Sequence, residues 1–158
     1  WVNYLRSNPS QFYTNCVVPF LTQFPEANGK EARTLEKDLL SAPKLPLFSF
    51  SALATEASRI HCADLALKQN SIGHVSSDGK SFSARMRLAG LTKCAAENIY
   101  TGKGEPLLSL MMLLLDIGLD PAGHRKNLLT PWYNQMGVSI QTHRSMKRAV
   151  LVQIFSCS

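Results

Sequence analysis

Apolar residues follow two spacings along this chain, a helical one in its first two thirds and an alternating one near its end. In the first twenty residues they recur at helical intervals, and Asn8 followed by Pro9 predicts a cap and a first turn where the helix restarts. Residues 25–47 are polar and bounded by prolines, which favours a long connection over the surface. A second amphipathic helix is predicted to open at Ser51, and its buried face is expected to contain Leu53, Ala57, Ile60, Asp64 and Leu65.

The second half adds a buried helix and paired strands. A short helix is expected to end at Gly90, and residues 95–106 are extended and lead into a glycine loop. Residues 106–115 are apolar on every side, which predicts a buried helix. Residues 134–143 and 149–156 alternate between apolar and polar, which predicts a hairpin. Helices followed by paired strands indicate an α+β protein with an antiparallel sheet.

Size and charge restrict the class of protein. At 158 residues with 45% hydrophobic content, the chain fits one domain, residues 1–158, with its own core. The longest apolar run, residues 110–115, is too short for a transmembrane segment. The chain does not begin with Met, so we expect that an N-terminal segment has been removed. The net charge of +6 is scattered and lacks interleaved aromatics, so we expect a basic soluble surface and no nucleic-acid partner.

The cysteines point to an oxidising compartment. Cys16, Cys62, Cys94 and Cys157 lie far apart and form no C-x-x-C pair, which disfavours a structural zinc site. An even count fits two disulfides, for which three pairings are open, and four buried thiols are the alternative. Disulfides would indicate a secreted, extracellular protein.

Four polar residues border apolar segments at turns: His74, Glu97, Asp116 and His124. A carboxylate between Ala96 and Ile99 is costly to bury unless a cation or a hydrogen-bond donor meets it, and an imidazole supplies such a donor. Each residue also has a plainer interpretation. His74 would be a surface-loop histidine and Glu97 a solvated residue at a strand edge. Asp116 would satisfy backbone groups in a turn, and His124 would begin a short helix. The spacing matches no local metal motif.

Several longer stretches resemble a known family. "GHVSSDGKSFSARMRLAGL", "AENIYTG", "LLLDIGLDPAGHRKNLL" and "PWYNQMGVS" occur in the order and spacing of the CAP superfamily, which comprises cysteine-rich secretory, antigen-five and pathogenesis-related proteins. The form is similar to the single-domain bacterial or protist type. The resemblance implies an α-β-α sandwich with a central antiparallel sheet of three or four strands flanked by helices.

The resemblance also implies an open cleft with two histidines and two acids. Carried over by motif, these are His74, Glu97, His124 and Asp116, with Asp120 as the alternative to Asp116. Zn²⁺, or Mg²⁺ as the alternative, would bind His74 and His124, while Glu97 would orient an imidazole. Ser76 and Ser77 lie in no activating motif. A binding or effector protein is therefore favoured over a metal-dependent hydrolase or protease.

Lipid binding is the hypothesis from a different class. Relatives carry sterol or fatty acid, and the resemblance places a fatty-acid groove between the first and fourth helices. A packed core explains the same residues. Other expected partners are a host or extracellular protein. The groove would be lined by Phe12, Tyr13, Val17, Leu108, Met111 and Met112.

Overall fold

The computed structural model describes residues 1–119 and 121–158, and these residues form two units, each made of two stretches of chain. The first unit contains residues 1–47 and 110–131, and the second contains residues 48–109 and 132–158. Among the described residues, no helix has both the length and the apolar character needed to cross a bilayer.

The first unit is helical. Its core includes Leu5, Phe12, Leu35, Leu39 and Leu128, none of which has exposed surface. Its helices are α1 (Val2–Ser7), α2 (Pro9–Phe12), a π-helical turn (Tyr13–Val17), α3 (Val18–Gln23), a 3₁₀ turn (Pro25–Ala27), α4 (Lys30–Ser41) and α8 (Gly123–Leu129). The predicted helix restart is confirmed, because Pro9 occupies the first turn of α2 and Asn8 precedes it.

The expectation of a loop over residues 25–47 is wrong where α4 lies. Ala32, Leu35 and Leu39 are buried at helical spacing, and the remaining positions of α4 are mostly charged. The apolar stripe is narrow, so the polar content of the segment obscured it.

A buried arginine fastens α1 to two other parts of this unit. The Nε of Arg6 donates to the carbonyl of Pro46 at 2.6 Å. Its Nη1 donates to the carbonyls of Leu128 and Thr130 at 2.8 and 3.0 Å. Burial lowers the pKa of Arg6 to about 10, so the guanidinium keeps its charge at neutral pH.

The second unit contains the sheet, whose strand order is β1-β3-β4-β2. The predicted hairpin is confirmed, since β3 and β4 pair antiparallel. Strand β2 pairs antiparallel with the other side of β4, and the two-residue β1 pairs parallel with β3. The elements of this unit are β1 (Ser49–Phe50), α5 (Ala52–Lys68), α6 (Phe82–Leu88), β2 (Ala95–Gly102), β3 (Gln135–Thr142) and β4 (Ala149–Ser156). The apolar helix α7 (Pro106–Leu115) begins in this unit's stretch of chain and ends in that of the first.

Helix α5 packs on the sheet through small residues. Ser51 caps it by accepting a hydrogen bond from the Ala54 amide, as its predicted position requires. A Cβ added at Gly137 of β3 would lie only 2.1 Å from the Thr55 amide nitrogen, so helix and strand backbones approach closely. The Ser58 hydroxyl completes this contact by donating to the Gly137 carbonyl at 3.1 Å.

This close approach corrects the predicted buried face of α5. Ala57, Asp64 and Leu65 are buried as expected, whereas Leu53 and Ile60 are 55% and 54% exposed. Only small side chains fit against β3, so the bulky residues lie on the outer side of the helix. The cluster beneath α5 contains Ala54, Ala57, Cys62, Leu65, Ala66, Val150, Val152 and Ile154.

The cysteines form one disulfide, between Cys94 and Cys157. Cys94 precedes β2 and Cys157 follows β4, and the register pairs their neighbours Ala95 and Ser156. Cys16 and Cys62 are buried free thiols, so the expectation of two disulfides is wrong.

Candidate functional site

Glu97 is the buried centre of a polar cluster in the second unit, formed with Arg85, His74 and His61 and named here the Glu97 cluster. Arg85 of α6 binds the carboxylate with two hydrogen bonds, at 2.9 Å to Oε2 and 2.7 Å to Oε1. The Nδ1 of His74 lies 2.9 Å from Oε1, and the Nε2 of His61 lies 3.9 Å from the same oxygen. The carboxylate therefore has the cation and the donors that its burial requires.

The charge on Glu97 is well stabilised. Burial on its own would raise the pKa of Glu97, but the hydrogen bonds from His74 and Arg85 outweigh it and lower the pKa. Arg85 also donates to the backbone carbonyl of His74 at 3.0 Å, so it holds the loop as well as the carboxylate. The imidazole of His74 stays 55% exposed, while the Glu97 side chain is 1% exposed.

His61 of α5 is fully buried and has a defined tautomer. Its Nε2 lies 3.0 Å from the carbonyl of Gly73, which only accepts hydrogen bonds, so this nitrogen carries the proton. The Nδ1 lone pair then faces the Ser76 hydroxyl at 3.4 Å. Burial lowers the pKa of His61 and outweighs the opposite effect of Glu97, which favours the neutral ring.

Asp64 anchors the loop beside this cluster. Its carboxylate accepts hydrogen bonds from the amide and the hydroxyl of Ser77, at 2.7 and 2.5 Å, and from Gln69 at 2.7 Å. Burial on its own would raise the pKa of Asp64, but these hydrogen bonds lower it. The turn after α5 is thus tied to the helix itself.

The second histidine–carboxylate pair lies in the first unit. Asp116 follows α7 in a left-handed conformation, with φ of 52°, and only 2% of it is exposed. It forms a hydrogen bond with Nδ1 of His124 and accepts one from the amide of Arg125 at 3.1 Å. Asp116 and His124, which were expected to line one cleft, are therefore in direct contact.

Arg125 ties α8 to the end of α7 and to α4. Its Nε donates to the Leu114 carbonyl at 2.7 Å, and its Nη1 reaches Asp38 of α4 at 2.9 Å. The side chain is buried, and its contacts are structural.

The four predicted site residues therefore form two pairs, His74 with Glu97 and His124 with Asp116. The larger shared site stays a prediction, and Asp120 lies outside the described residues. Within residues 1–119 and 121–158, no group of three or more His, Cys, Asp or Glu could hold a metal ion.

Sequence reasoning missed Arg85 and His61. The apolar setting of Glu97 did demand a cation, but no local spacing links residue 85 to residue 97. His61 was overlooked because a histidine within a helix has no signature of burial.

The predicted lipid-groove residues are largely packed. Phe12, Val17 and Met111 have no exposed surface, while Tyr13, Leu108 and Met112 are partly exposed. Their role in lipid binding stays a prediction.

Comparison with known proteins identifies the class. The profile of the CAP family, described as the cysteine-rich secretory protein family, matches residues 2–157. The chain therefore belongs to this family. No curated protein matches it.

Two solved structures are similar to this chain. One is an extracellular protein containing an SCP domain from Bacillus anthracis, with 23% identity and a TM-score of 0.59. The match covers 72% of this chain but only 35% of that protein. The other is an outer surface protein from Borrelia burgdorferi, with 14% identity and a TM-score of 0.57, and the match covers 72% of this chain and 79% of that one.

These likenesses confirm the predicted fold class, an α+β fold of the α-β-α sandwich type. The predicted antiparallel sheet of three or four strands is present as β3, β4 and β2, and the short β1 adds a parallel edge.

Proposed function

We propose that this protein is a secreted CAP-domain binding protein that holds a divalent metal, Zn²⁺ or Mg²⁺, through His74 and His124. The observation that carries the proposal is that each of these imidazoles has its Nδ1 against a buried carboxylate. A carboxylate hydrogen-bonded to one ring nitrogen fixes the tautomer of a histidine whose other ring nitrogen binds a metal.

The His74–Glu97 pair has the chemistry of such a ligand. A carboxylate bonded to Nδ1 draws the proton to that nitrogen, which leaves the lone pair on Nε2. The bidentate contact from Arg85 prevents Glu97 from rotating away. More than half of the His74 side chain is exposed, so an ion from solvent reaches it without unfolding.

The His124–Asp116 pair has the same arrangement on a different scaffold. Asp116 is held through its second oxygen by the Arg125 amide, so its first oxygen stays directed at the ring. The side chain of His124 retains 21% exposure.

The affinity expected from this ligand set is modest. Structural zinc sites use four protein ligands and catalytic ones use three, whereas here the proposal rests on two imidazoles. Water or a substrate would complete the coordination. A weak, open metal site agrees better with a binding role than with a permanent structural metal.

The metal is tested by calorimetric titration of Zn²⁺ into wild-type protein, His74→Ala and His124→Ala. Each alanine variant is expected to weaken binding at least tenfold, and Glu26→Gln, an exposed carboxylate of the 3₁₀ turn, is expected to leave it unchanged. One ion bound per wild-type chain, with weaker binding in both variants, supports both histidines as ligands. Equal affinity in the wild type and both histidine variants would reject the ligand assignment.

A further inference from the structure

Helix α5 carries bulky apolar side chains on its outer face. Leu53, Ile60 and Leu67 recur every seven residues, and each is more than half exposed. With Leu88 of α6 and the Ser76 loop, they line a groove of about 660 Å³, named here the α5 groove. Its volume falls within the range of about 300–1,000 Å³ that is typical of small-molecule sites.

The rim of the α5 groove favours an uncharged occupant. Its cations gain little from an anionic ligand because carboxylates of the same chain already neutralise them. The pairs are Arg59 with Glu56, Lys68 with Asp64, and Lys80 with Asp78.

One hydroxyl in this apolar lining faces a base. Ser76 Oγ lies 3.4 Å from Nδ1 of His61, and that nitrogen carries the lone pair because Nε2–H donates to the Gly73 carbonyl. The separation is within the looser range seen for nucleophile–base pairs without substrate. Burial lowers the pKa of His61, which keeps the ring neutral at physiological pH.

We propose that Ser76 and His61 form a nucleophile–base pair that hydrolyses uncharged carboxylic esters whose acyl chains lie in the α5 groove. This activity goes beyond the proposed metal binding and uses neither of its histidine ligands. Glu97 acts as a positioning residue, since its carboxylate lies 3.9 Å from the protonated nitrogen of His61 and stabilises the imidazolium.

The reaction needs only water as a co-reactant. Ser76 Oγ attacks the ester carbonyl carbon while its proton moves to Nδ1 of His61. The carbon–oxygen bond to the alcohol breaks, and the alcohol leaves with the proton from His61. Water then loses a proton to the same nitrogen and attacks the acyl group on Ser76. The carboxylic acid is released, and the proton returns to the serine oxygen.

The geometry also sets the acyl length. Ser76 lies beside His61, close to the middle of the apolar stripe, and seven helical residues span roughly 10 Å in either direction. An acyl chain of medium length therefore lies along Ile60 and reaches either Leu53 or Leu67. Since burying each added methylene in the groove stabilises the bound ester, kcat/KM is expected to rise at least tenfold from the acetyl to the octanoyl ester.

Two measurements test the proposal. Hydrolysis of p-nitrophenyl octanoate is expected to fall at least a hundredfold in Ser76→Ala and to persist in Ser83→Ala, an exposed serine of α6. A fluorophosphonate probe, mapped by mass spectrometry on the folded wild type, is expected to label Ser76. This second measurement needs no substituted protein, so it does not depend on whether a variant folds.

The outcomes separate this proposal from metal binding. Hydrolysis that persists in chelator and depends on Ser76 supports the serine route, whatever the zinc titration shows. Hydrolysis that chelator abolishes, hydrolysis unchanged in Ser76→Ala, or wild-type protein that neither turns over ester nor takes the probe would each overturn it.

Discussion

Gly137→Ala tests the close backbone approach between α5 and β3. The added Cβ would lie 2.1 Å from the Thr55 nitrogen, 2.2 Å from the Ala54 carbonyl carbon and 2.5 Å from the Thr55 Cα. Ordinary contacts begin near 3.4 Å, so helix and strand must separate by more than 1 Å. All three atoms are backbone, and no side-chain rotation relieves the clash.

The first turn of α5 resists this movement. Its Ser51 cap accepts a hydrogen bond from Ala54, and the Ser51 carbonyl accepts one from Thr55 at 2.9 Å. Overpacking costs about 1–3 kcal/mol where side chains adjust, and the stretched Ser58–Gly137 hydrogen bond adds about 1 kcal/mol. We expect a loss of about 3–4 kcal/mol in the free energy of unfolding, which lowers Tm by roughly 6–15 °C.

Urea unfolding followed by circular dichroism measures the loss, with calorimetry for Tm. Gly73→Ala is the matched control in the same unit, because an added Cβ there meets no atom within 4 Å. It is expected to change stability by less than about 1 kcal/mol. A Gly137→Ala protein as stable as the control would mean that helix and strand are not in backbone contact, and the explanation for the small-residue face of α5 would fail.

Two further predictions concern acid and reduction. Stability should fall as pH drops below about 6.5, because the unfolded chain protonates His61 there while burial lowers its pKa in the folded protein. Stability should fall further below about pH 4.5, because the pKa values of Glu97 and Asp64 are lower in the folded protein than in the unfolded chain. The stability that these two carboxylates contribute is lost as each is protonated. Urea unfolding midpoints at pH 7.5, 5.5 and 4 measure both losses of stability. The His61→Gln variant should lose less stability between pH 7.5 and 5.5 than the wild type. Equal wild-type midpoints at pH 7.5 and 5.5 would contradict a buried neutral His61 ring. Denatured, unreduced protein should titrate two thiols with Ellman's reagent and reduced protein four. Reduction should cost about 4 kcal/mol for a bridge spanning 63 residues, and four thiols before reduction would exclude the Cys94–Cys157 bond.

Local sequence signals predicted the elements whose own pattern defines them. The hairpin was recognisable because β3 alternates, although the alternation expected over residues 149–156 is wrong, since β4 buries almost every side chain. Helix α5 was recognisable because Ser51 is a strong cap. Charged residues outnumber the apolar residues of α4, so the sequence of this segment predicted a surface loop instead of a helix. An element was predicted correctly where the spacing of its own apolar residues, or its cap, stands out within the segment, and it was missed where charged residues obscure that spacing.

Features set by distant partners could not be predicted. Which face of α5 is buried depends on Gly137, some eighty residues away, and the disulfide depends on the register of β2 against β4. Arg85 and His61 enter the Glu97 cluster only after α5, α6 and β2 have packed. The family resemblance supplied His74, Glu97, Asp116 and His124, which the residue pattern alone left as four unrelated polar positions.

The strand order has a consequence for synthesis on the ribosome. Strand β4 lies between β3 and β2, yet it is the last of the four along the chain. Until it emerges, β2 lacks the strand that it pairs with, and β3 is paired with β1 over two residues. A nascent chain halted before residue 149 therefore exposes the β4-facing edges of β2 and β3 to chaperones and proteases.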